Sequence, residues 1–326
     1  MKKLLTWLLI VTTVLLGAAG CGSGNTEKTP GKEASYPADG EITVIIPRAA
    51  GGGTDNSARI LCSLLQNELK GSRFVPVNET AGGGLTGMTE LAKAKPDGHT
   101  LGMVTVELAM FHHQGKTTLT YKDFVSVCAP VVTPAALIVS GELPCYTLPE
   151  FVKYVKANPG KIRMGNAGTG SVWHVAALSF EKEFGVTFKH VPYPKGTADI
   201  AAALSGKHID AALADPASFK DQAVKGSVKI LGIMADSRNE AFPLIPTFRE
   251  LGHPMTIRAW AVLAAPKDLP KDRLAILRNA AEKIGASKKK REQFSKEGIE
   301  AVTFSGEACD AMMAKDDAMY AKLLKP

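Results

Sequence analysis

Residues 42–55 read ITVIIPRAAGGGTD. The β-branched run at its start predicts a buried strand, which Pro47 ends. The three glycines from Gly51 to Gly53 predict a tight loop, and Thr54 is a candidate N-cap. A helix is predicted next, because leucines recur there at helical spacing, namely Leu61, Leu65 and Leu69. Strand, glycine loop and helix in this order form the beginning of an α/β unit.

The same order of elements recurs along the chain. The pattern predicts strands at 74–77, 100–105, 162–164, 186–191, 209–213 and 228–234, and helices at 86–94, 172–184, 197–204 and from 271 onward. Glycine loops stand between strand and helix at 82–84 and at 165–170. Strands that alternate with helices predict mainly parallel sheets with helices on both faces, here in two similar halves.

Length and composition exclude several classes of protein. The 326 residues suit two domains, and 45% hydrophobic with 22% charged residues is typical of a soluble globular chain. The net charge of +7 is mild and does not require nucleic acid. We interpret the basic run Lys288–Arg291 as a solvated helix face, because it lacks interleaved aromatic residues. Five cysteines are too few for a disulfide scaffold, and Cys128 and Cys145 either form a bridge or remain thiols.

The N-terminal residues indicate export. Met1-Lys2-Lys3 is basic, and the apolar run from Leu4 to Leu16 is shorter than the roughly 20 residues of a membrane span. The run ends in Gly17-Ala18-Ala19-Gly20-Cys21, which resembles a bacterial lipoprotein cleavage site. This resemblance implies removal of residues 1–20 and a lipid on Cys21; the alternative is ordinary cleavage near Ala19. The polar composition of residues 21–35 predicts a flexible tether.

Two glycine loops are candidate anion sites. We call residues 47–55 the first loop, 82–84 the second loop and 165–171 the third loop. Parallel sheets bind ligands at the carboxyl ends of their strands, where the first and third loops fall. Glycine permits close approach to the backbone, and the helix that follows offers N–H groups with partial positive charge, which favours an anion. The alternative is that these glycines only make tight turns.

No recognised catalytic or nucleotide motif is present in the sequence. Met88 stands where a P-loop requires lysine, and no Gly-x-Ser-x-Gly or His-Glu-x-x-His pattern occurs. We therefore predict neither an enzyme nor a resident cofactor or metal. The pair His112-His113 is interpreted as solvated, because no Asp, Glu or Cys lies near it in the sequence.

Taken together, the segments resemble the substrate-binding proteins of tripartite tricarboxylate transporters, also called Bug receptors. The resemblance runs from Tyr36 to the C-terminus, through 36–37, 42–47, 49–55, 58–59, 78–87, 94–98, 165–171 with His174, 191–193, Gly206, Asp210, Pro243, 246–247, Glu250, Gly252, Trp260 and 265–266. It implies a two-lobed periplasmic-binding-protein-like (type II) α/β fold, with a mixed, mainly parallel sheet flanked by helices in each lobe and a ligand cleft between them. Residues 36–132 and 257–326 are expected to form lobe 1, and 133–256 lobe 2.

The resemblance also implies a function. We expect a monomeric extracytoplasmic lipoprotein, held to a bacterial membrane through Cys21, that captures a small di- or tricarboxylate or related acid. It would deliver this ligand to the membrane subunits of the transporter, without nucleic acid, cofactor or metal. Two alternatives stay open: a sensor for a signalling partner, and a hydrolase on the same fold, for which Ser171 and His174 are the nearest pair in sequence.

Ligand contacts are carried over from the family by position. They are Ala49, Gly51, Gly52, Thr54 and Asp55 in the first loop and Ala167, Thr169, Gly170 and Ser171 in the third, mostly through backbone amides. Asp55 either caps the helix or accepts a hydrogen bond from the ligand, and Asp215 has the same two alternatives. Arg48 departs from the family pattern and is expected to pair with a second carboxylate, or else to lie on the surface. Trp173 is another departure, for which core packing is favoured.

Overall fold

The computed structural model describes residues 36–37, 40–194, 196–296 and 305–324. They belong to one structural unit, Tyr36–Pro326. The predicted leader, the lipid site at Cys21 and the tether lie outside the described residues. Among the residues described, no helix has both the length and the apolar character needed to cross a membrane.

The chain alternates between strands and helices. The strands are β1 (Glu41–Ile46), β2 (Arg73–Asn78), β3 (Thr100–Thr105), β4 (Phe124–Pro134), β5 (Ala136–Ser140), β6 (Arg163–Asn166), β7 (Lys189–Pro192), β8 (Ala211–Ala214), β9 (Val228–Ile233) and β10 (Arg258–Pro266). The α-helices are α1 (Gly53–Glu68), α2 (Leu85–Lys93), α3 (Leu108–Phe111), α4 (Leu148–Ala157), α5 (Val172–Phe184), α6 (Thr197–Ser205), α7 (Lys220–Val224), α8 (Lys271–Ala286), α9 (Lys288–Lys296) and α10 (Gly306–Leu323).

The strands of the described residues form two five-stranded sheets with equivalent topology, β2-β1-β3-β10-β4 and β7-β6-β8-β5-β9. In each sheet two neighbouring pairs are parallel and two are antiparallel. These mixed sheets with flanking helices confirm the predicted fold class. The neighbouring pairs are not mainly parallel as predicted, because β10 in the first sheet and β5 in the second are antiparallel to both of their neighbours. The chain leaves the first sheet after β4, enters the second with β5, and returns between β9 and β10. The exact lobe boundaries stay a prediction.

Side chains of β1 alternate between two apolar clusters. Ile42, Val44 and Ile46 pack with Leu61 and Leu65 of α1. Ile45 points to the other face of the sheet, where Met88 and Leu91 of α2 lie in its cluster. Full burial of each such side chain contributes about 1.5–3 kcal/mol. Because helices pack on both of its faces, β1 is held in place, and the first loop that follows it is held in place as well.

The two cysteines for which a bridge was considered are not bridged. Cys128 and Cys145 are both buried and both carry free thiols. Burial raises the pKa of the Cys128 thiol far above its usual range. Of the two alternatives, the structure therefore has the free thiols.

Candidate functional site

The first loop leaves the amino end of α1 open. Ala49 and the three glycines before Thr54 are exposed, and Thr54 is partly buried. Gly52 occupies the N-cap position of α1 and, as a glycine, has no side chain to cap the helix; the predicted N-cap, Thr54, lies inside α1. No side-chain cap occupies the N–H groups of the first turn, so they remain available to a ligand, although the carboxylate of Asp55 in the same turn offsets part of their positive charge.

Asp55 holds the first loop in shape. The residue is 2% exposed, and its carboxylate accepts hydrogen bonds from Gly51 N (2.9 Å), from Arg59 Nε (2.9 and 3.0 Å) and from Asn78 Nδ2 (2.8 Å). Burial by itself raises the pKa of this carboxyl, but the bonds from Arg59, Asn78 and Gly51 outweigh burial and hold the pKa below its usual value. These contacts make Asp55 a brace of the first loop, which neither of the two predicted alternatives, helix capping or ligand binding, described.

The second loop packs directly on the first. Its glycines all have positive φ, and Gly84 at φ +94° is turned towards Pro47. A Cβ on Gly84 would lie 2.5 Å from the carbonyl oxygen of Pro47, so only glycine allows this approach.

Arg48 lies where β1 and β3 end, with its charge already paired. Its Nη1 donates to Gly83 O (3.1 Å) and its Nη2 to Thr105 Oγ1 (3.4 Å), and Nη2 also forms an ion pair with Glu107. The Arg48 side chain is 31% exposed and that of Glu107 is 11% exposed. Sequence reasoning missed Glu107, although its place just after β3, at the sheet edge where β1 ends, was an available signal.

The third loop is organised by its own polar groups. Asn166 Oδ1 accepts a hydrogen bond from Gly168 N (2.9 Å), and Ser171 Oγ accepts one from His174 N (3.3 Å) as the N-cap of α5. The imidazole Nδ1 of His174 accepts from Gly170 N at 3.2 Å. Ser171 Oγ thus contacts the backbone amide of His174, and the described residues contain no hydrogen bond between this hydroxyl and the imidazole.

A segment from the first half of the chain reaches the third loop. Gln114 Nε2 donates to Gly170 O at 3.4 Å, and the space beside Gly170 also holds Lys116, whose Nζ would be 3.3 Å from an added Cβ. No hydrogen bond or ion pair within the described ranges joins the first loop to the third. Sequence reasoning missed Gln114 and Lys116, because no local pattern marks a contact across 56 positions.

Two further positions that the sequence singled out, Asp215 and Trp173, make contacts within the protein. Asp215 follows β8, is partly buried and accepts a hydrogen bond from Ser218 N (2.9 Å) in the short helical turn Ala217–Phe219. Trp173 is 6% exposed, and its Nε1 donates to Thr197 Oγ1 at 3.2 Å. The burial of Trp173 confirms the core interpretation.

Protonation of His174 is expected to loosen the third loop. Burial, and then the charge of His190, lower the pKa of His174, while Glu181 acts in the opposite direction. A lowered pKa means that the folded state prefers neutral imidazole, so the stabilisation is complete above the ordinary pKa of about 6.5 and is lost as pH falls below it. Amide exchange at Gly170 should accelerate, relative to its intrinsic rate, between about pH 7 and 5.

A matched pair of variants isolates this effect. His174→Asn keeps an acceptor near the Nδ1 position but does not titrate, so its exchange at Gly170 should lose the extra pH dependence. His253→Asn alters a histidine paired at the surface with Glu183 and should behave like the wild type. An unchanged pH profile in His174→Asn would refute the assignment.

The architecture is that of two-lobed solute-binding proteins. A crystal structure of a TctC solute-binding protein from Polaromonas, without ligand, is 32% identical and covers 89% of this chain and 99% of its own, with a TM-score of 0.77. MatC from Rhodopseudomonas palustris, with bound malate, is 26% identical and covers 89% of this chain and 100% of its own, with a TM-score of 0.76.

Sequence comparison agrees with the structural one. Protein BugT of Bordetella pertussis is 26% identical over 331 residues, which is 98% of this chain and 97% of BugT. The model of the tripartite tricarboxylate transporter family receptor matches residues 58–325. The chain therefore belongs to this receptor family, as the resemblance predicted.

Proposed function

We propose that the protein is an extracytoplasmic lipoprotein that captures a small di- or tricarboxylate, or a related organic acid, and delivers it to the membrane subunits of a tripartite tricarboxylate-type transporter. The observation that carries this proposal is the exposed first loop before the uncapped start of α1. Malate bound to the related MatC supports a carboxylate as the ligand class.

The ligand would be held mainly by backbone amides of two loops. The proposed contacts are Ala49, Gly51, Gly52 and Thr54 of the first loop and Ala167, Thr169, Gly170 and Ser171 of the third. Asp55 and Asp215 support the loops through the hydrogen bonds described above. Because Gly51 N already donates to Asp55 and Gly170 N to His174, these two glycines are proposed as shape-determining positions beside the ligand.

Capture requires no chemical step. Residues 36–132 and 257–326 are proposed as one lobe and 133–256 as the other, with closure favoured because the ligand gains contacts from both. We propose that the protein acts as a monomer outside the cytoplasm, anchored through Cys21, and requires no cofactor. Two observations support binding without catalysis. The chain belongs to a receptor family, and Ser171 Oγ and the His174 imidazole each bond to a backbone amide and, in the described residues, not to each other.

A thermal-shift screen tests the proposal. The protein without its leader is melted in the presence of mono-, di- and tricarboxylates, amino acids, neutral sugars and simple cations. A ligand at 100 times its Kd should add about 2.7 kcal/mol of stability. A carboxylate hit supports the proposal, whereas shifts with sugars or cations and none with carboxylates would overturn it.

The pair Arg48–Glu107 is expected to set the relative affinity for dicarboxylates and monocarboxylates. Arg48→Ala removes a cation and leaves the Glu107 carboxylate facing the ligand, so dicarboxylates should lose at least about tenfold in affinity and monocarboxylates less. Glu107→Gln keeps Arg48 and frees its charge, so dicarboxylates should bind more tightly. Isothermal titration calorimetry measures both variants.

The control for this pair is another Arg–Glu pair in the same sheet. Arg73 contacts Glu41 at 3.1 Å with side chains 74% and 50% exposed, at the opposite ends of β1 and β2 from the loops. Arg73→Ala should leave affinity for both classes of acid unchanged. Equal losses of mono- and dicarboxylates in Arg48→Ala would argue against a second carboxylate at Arg48.

A further inference from the structure

Two adjacent histidines and an aspartate from a distant helix meet beside α3. His112 and His113 follow α3, and Asp317 lies on α10, 204 positions after His113. His112 Nε2 is 2.9 Å from Asp317 Oδ1, and His113 Nε2 is 3.5 Å from the same oxygen. The ligand atoms that the three residues can offer lie within 4.8 Å of one another.

These separations suit ligands of a single metal ion. Zn²⁺ binds imidazole nitrogen and carboxylate oxygen at about 2.0–2.2 Å. Two ligand atoms at such distances are roughly 3.0 Å apart for a right angle at the metal and roughly 3.4 Å apart for a tetrahedral angle. The observed 2.9 and 3.5 Å therefore need little movement to admit an ion.

Hydrogen bonding prepares His112 for this role. Its Nδ1 lies 3.1 Å from the carbonyl oxygen of Leu108, a contact that requires a proton on Nδ1. In the neutral imidazole the lone pair is then on Nε2, the nitrogen that faces Asp317. A backbone carbonyl on the far nitrogen is the usual support of a metal-binding histidine.

Asp317 Oδ1 is buried, and the imidazole nitrogens of His112 and His113 lie beside it. With the proton of neutral His112 on Nδ1, Nε2 turns a lone pair towards this oxygen, so neither atom donates to the other. A cation between them would satisfy both. His113 Nε2 also lies 3.1 Å from the Asp317 carbonyl oxygen, so metal binding would replace that contact by a coordinate bond.

We propose that His112, His113 and Asp317 form a binding site for a divalent transition metal, with Zn²⁺ as the best match. Imidazole and carboxylate ligands suit Zn²⁺, and all three side chains are partly exposed, which leaves water to complete a four-coordinate site. The interpretation of the histidines as solvated depended on the absence of a nearby acid in sequence, and α10 brings that acid. A bound ion would join α10 to the segment that carries Gln114 to the third loop.

Calorimetric titration of Zn²⁺ into untagged, EDTA-treated protein tests this site. We expect one Zn²⁺ per chain in the wild type and at least about tenfold weaker binding in Asp317→Asn, which keeps the size of the side chain. His112→Ala should lose binding to a similar extent. His253→Ala, which alters a histidine paired with Glu183 elsewhere, should bind as the wild type does.

A melting curve of each variant in EDTA shows whether the variant is folded. If His112→Ala does not fold, the binding measured for Asp317→Asn decides the test. Absence of Zn²⁺ binding in the wild type would overturn the proposal, and so would equal affinity in Asp317→Asn. In either case the cluster is only a histidine–carboxylate contact. Because organic acids are absent from this titration, its result is independent of the transport proposal.

Discussion

Gly84→Ala is expected to abolish high-affinity binding of organic acids and to lower stability by about 3 kcal/mol or more. The added Cβ would lie 2.5 Å from the Pro47 carbonyl oxygen and 2.8 Å from the Pro47 Cβ, at a φ of +94°. The left-handed backbone alone costs roughly 1–2 kcal/mol for alanine. The clash adds to this cost, because a backbone carbonyl cannot rotate away as a flexible side chain does, and the first and second loops must separate.

Gly252→Ala is the matched control for this substitution. Gly252 has a φ of +88°, yet nothing lies within 4 Å of the position that its Cβ would take, so alanine there adds only backbone strain. Chemical denaturation gives the stability of both variants, and calorimetry with the acid found by the thermal-shift screen gives their affinity. Similar stability losses in the two variants, with binding retained in Gly84→Ala, would contradict the close packing of the loops.

Asp316→Ala is expected to destabilise the protein by about 3–5 kcal/mol, because it leaves a largely buried cation without its partner. Asp316 is 3% exposed and accepts hydrogen bonds from Arg258 Nε (3.0 Å), Arg258 Nη2 (2.8 Å) and Trp260 Nε1 (2.8 Å). These bonds join α10 to β10. The melting temperature should fall by roughly 2–4 °C per kcal/mol, as measured by calorimetry.

An exposed ion pair provides the comparison. Glu41→Ala removes the partner of Arg73, whose side chain is 74% exposed, and should cost no more than about 1 kcal/mol. The loss of stability in Asp316→Asn should lie between those of Asp316→Ala and Glu41→Ala, since asparagine keeps the size of the side chain and part of its hydrogen bonding. A loss in Asp316→Ala as small as that in Glu41→Ala would show that the buried network contributes little.

The parts of the fold that the sequence predicted are those with local signals. Helix α5 has the predicted bounds, because the cap Ser171 and the terminating Gly185 both act within a few residues of the helix. Strand β3 likewise has its predicted ends, Thr100 and Thr105. The pattern missed β4, β5 and β10, since antiparallel strands that enter a sheet from elsewhere in the chain are not marked by a strand–glycine–helix unit.

The candidate site divides in the same way. The first and third loops and their glycines were predicted, because φ requirements and helix starts are readable from neighbouring residues. The ion pair of Arg48 with Glu107 and the bond from Gln114 to Gly170 were not, because each joins residues more than fifty positions apart. The site residues themselves remain predictions, to be tested by the binding experiments above.

The sequence by itself determined the α/β class and the glycine loops, since backbone preference, capping and hydrophobic period act over a few residues, and its resemblance to known receptors indicated the family. Only the tertiary structure decided that Asp55 braces the first loop, that Arg48 shares its charge with Glu107, and that Asp317 meets the two histidines. Side-chain pairing depends on which distant segments the folded core brings together, and no spacing along the chain encodes that proximity.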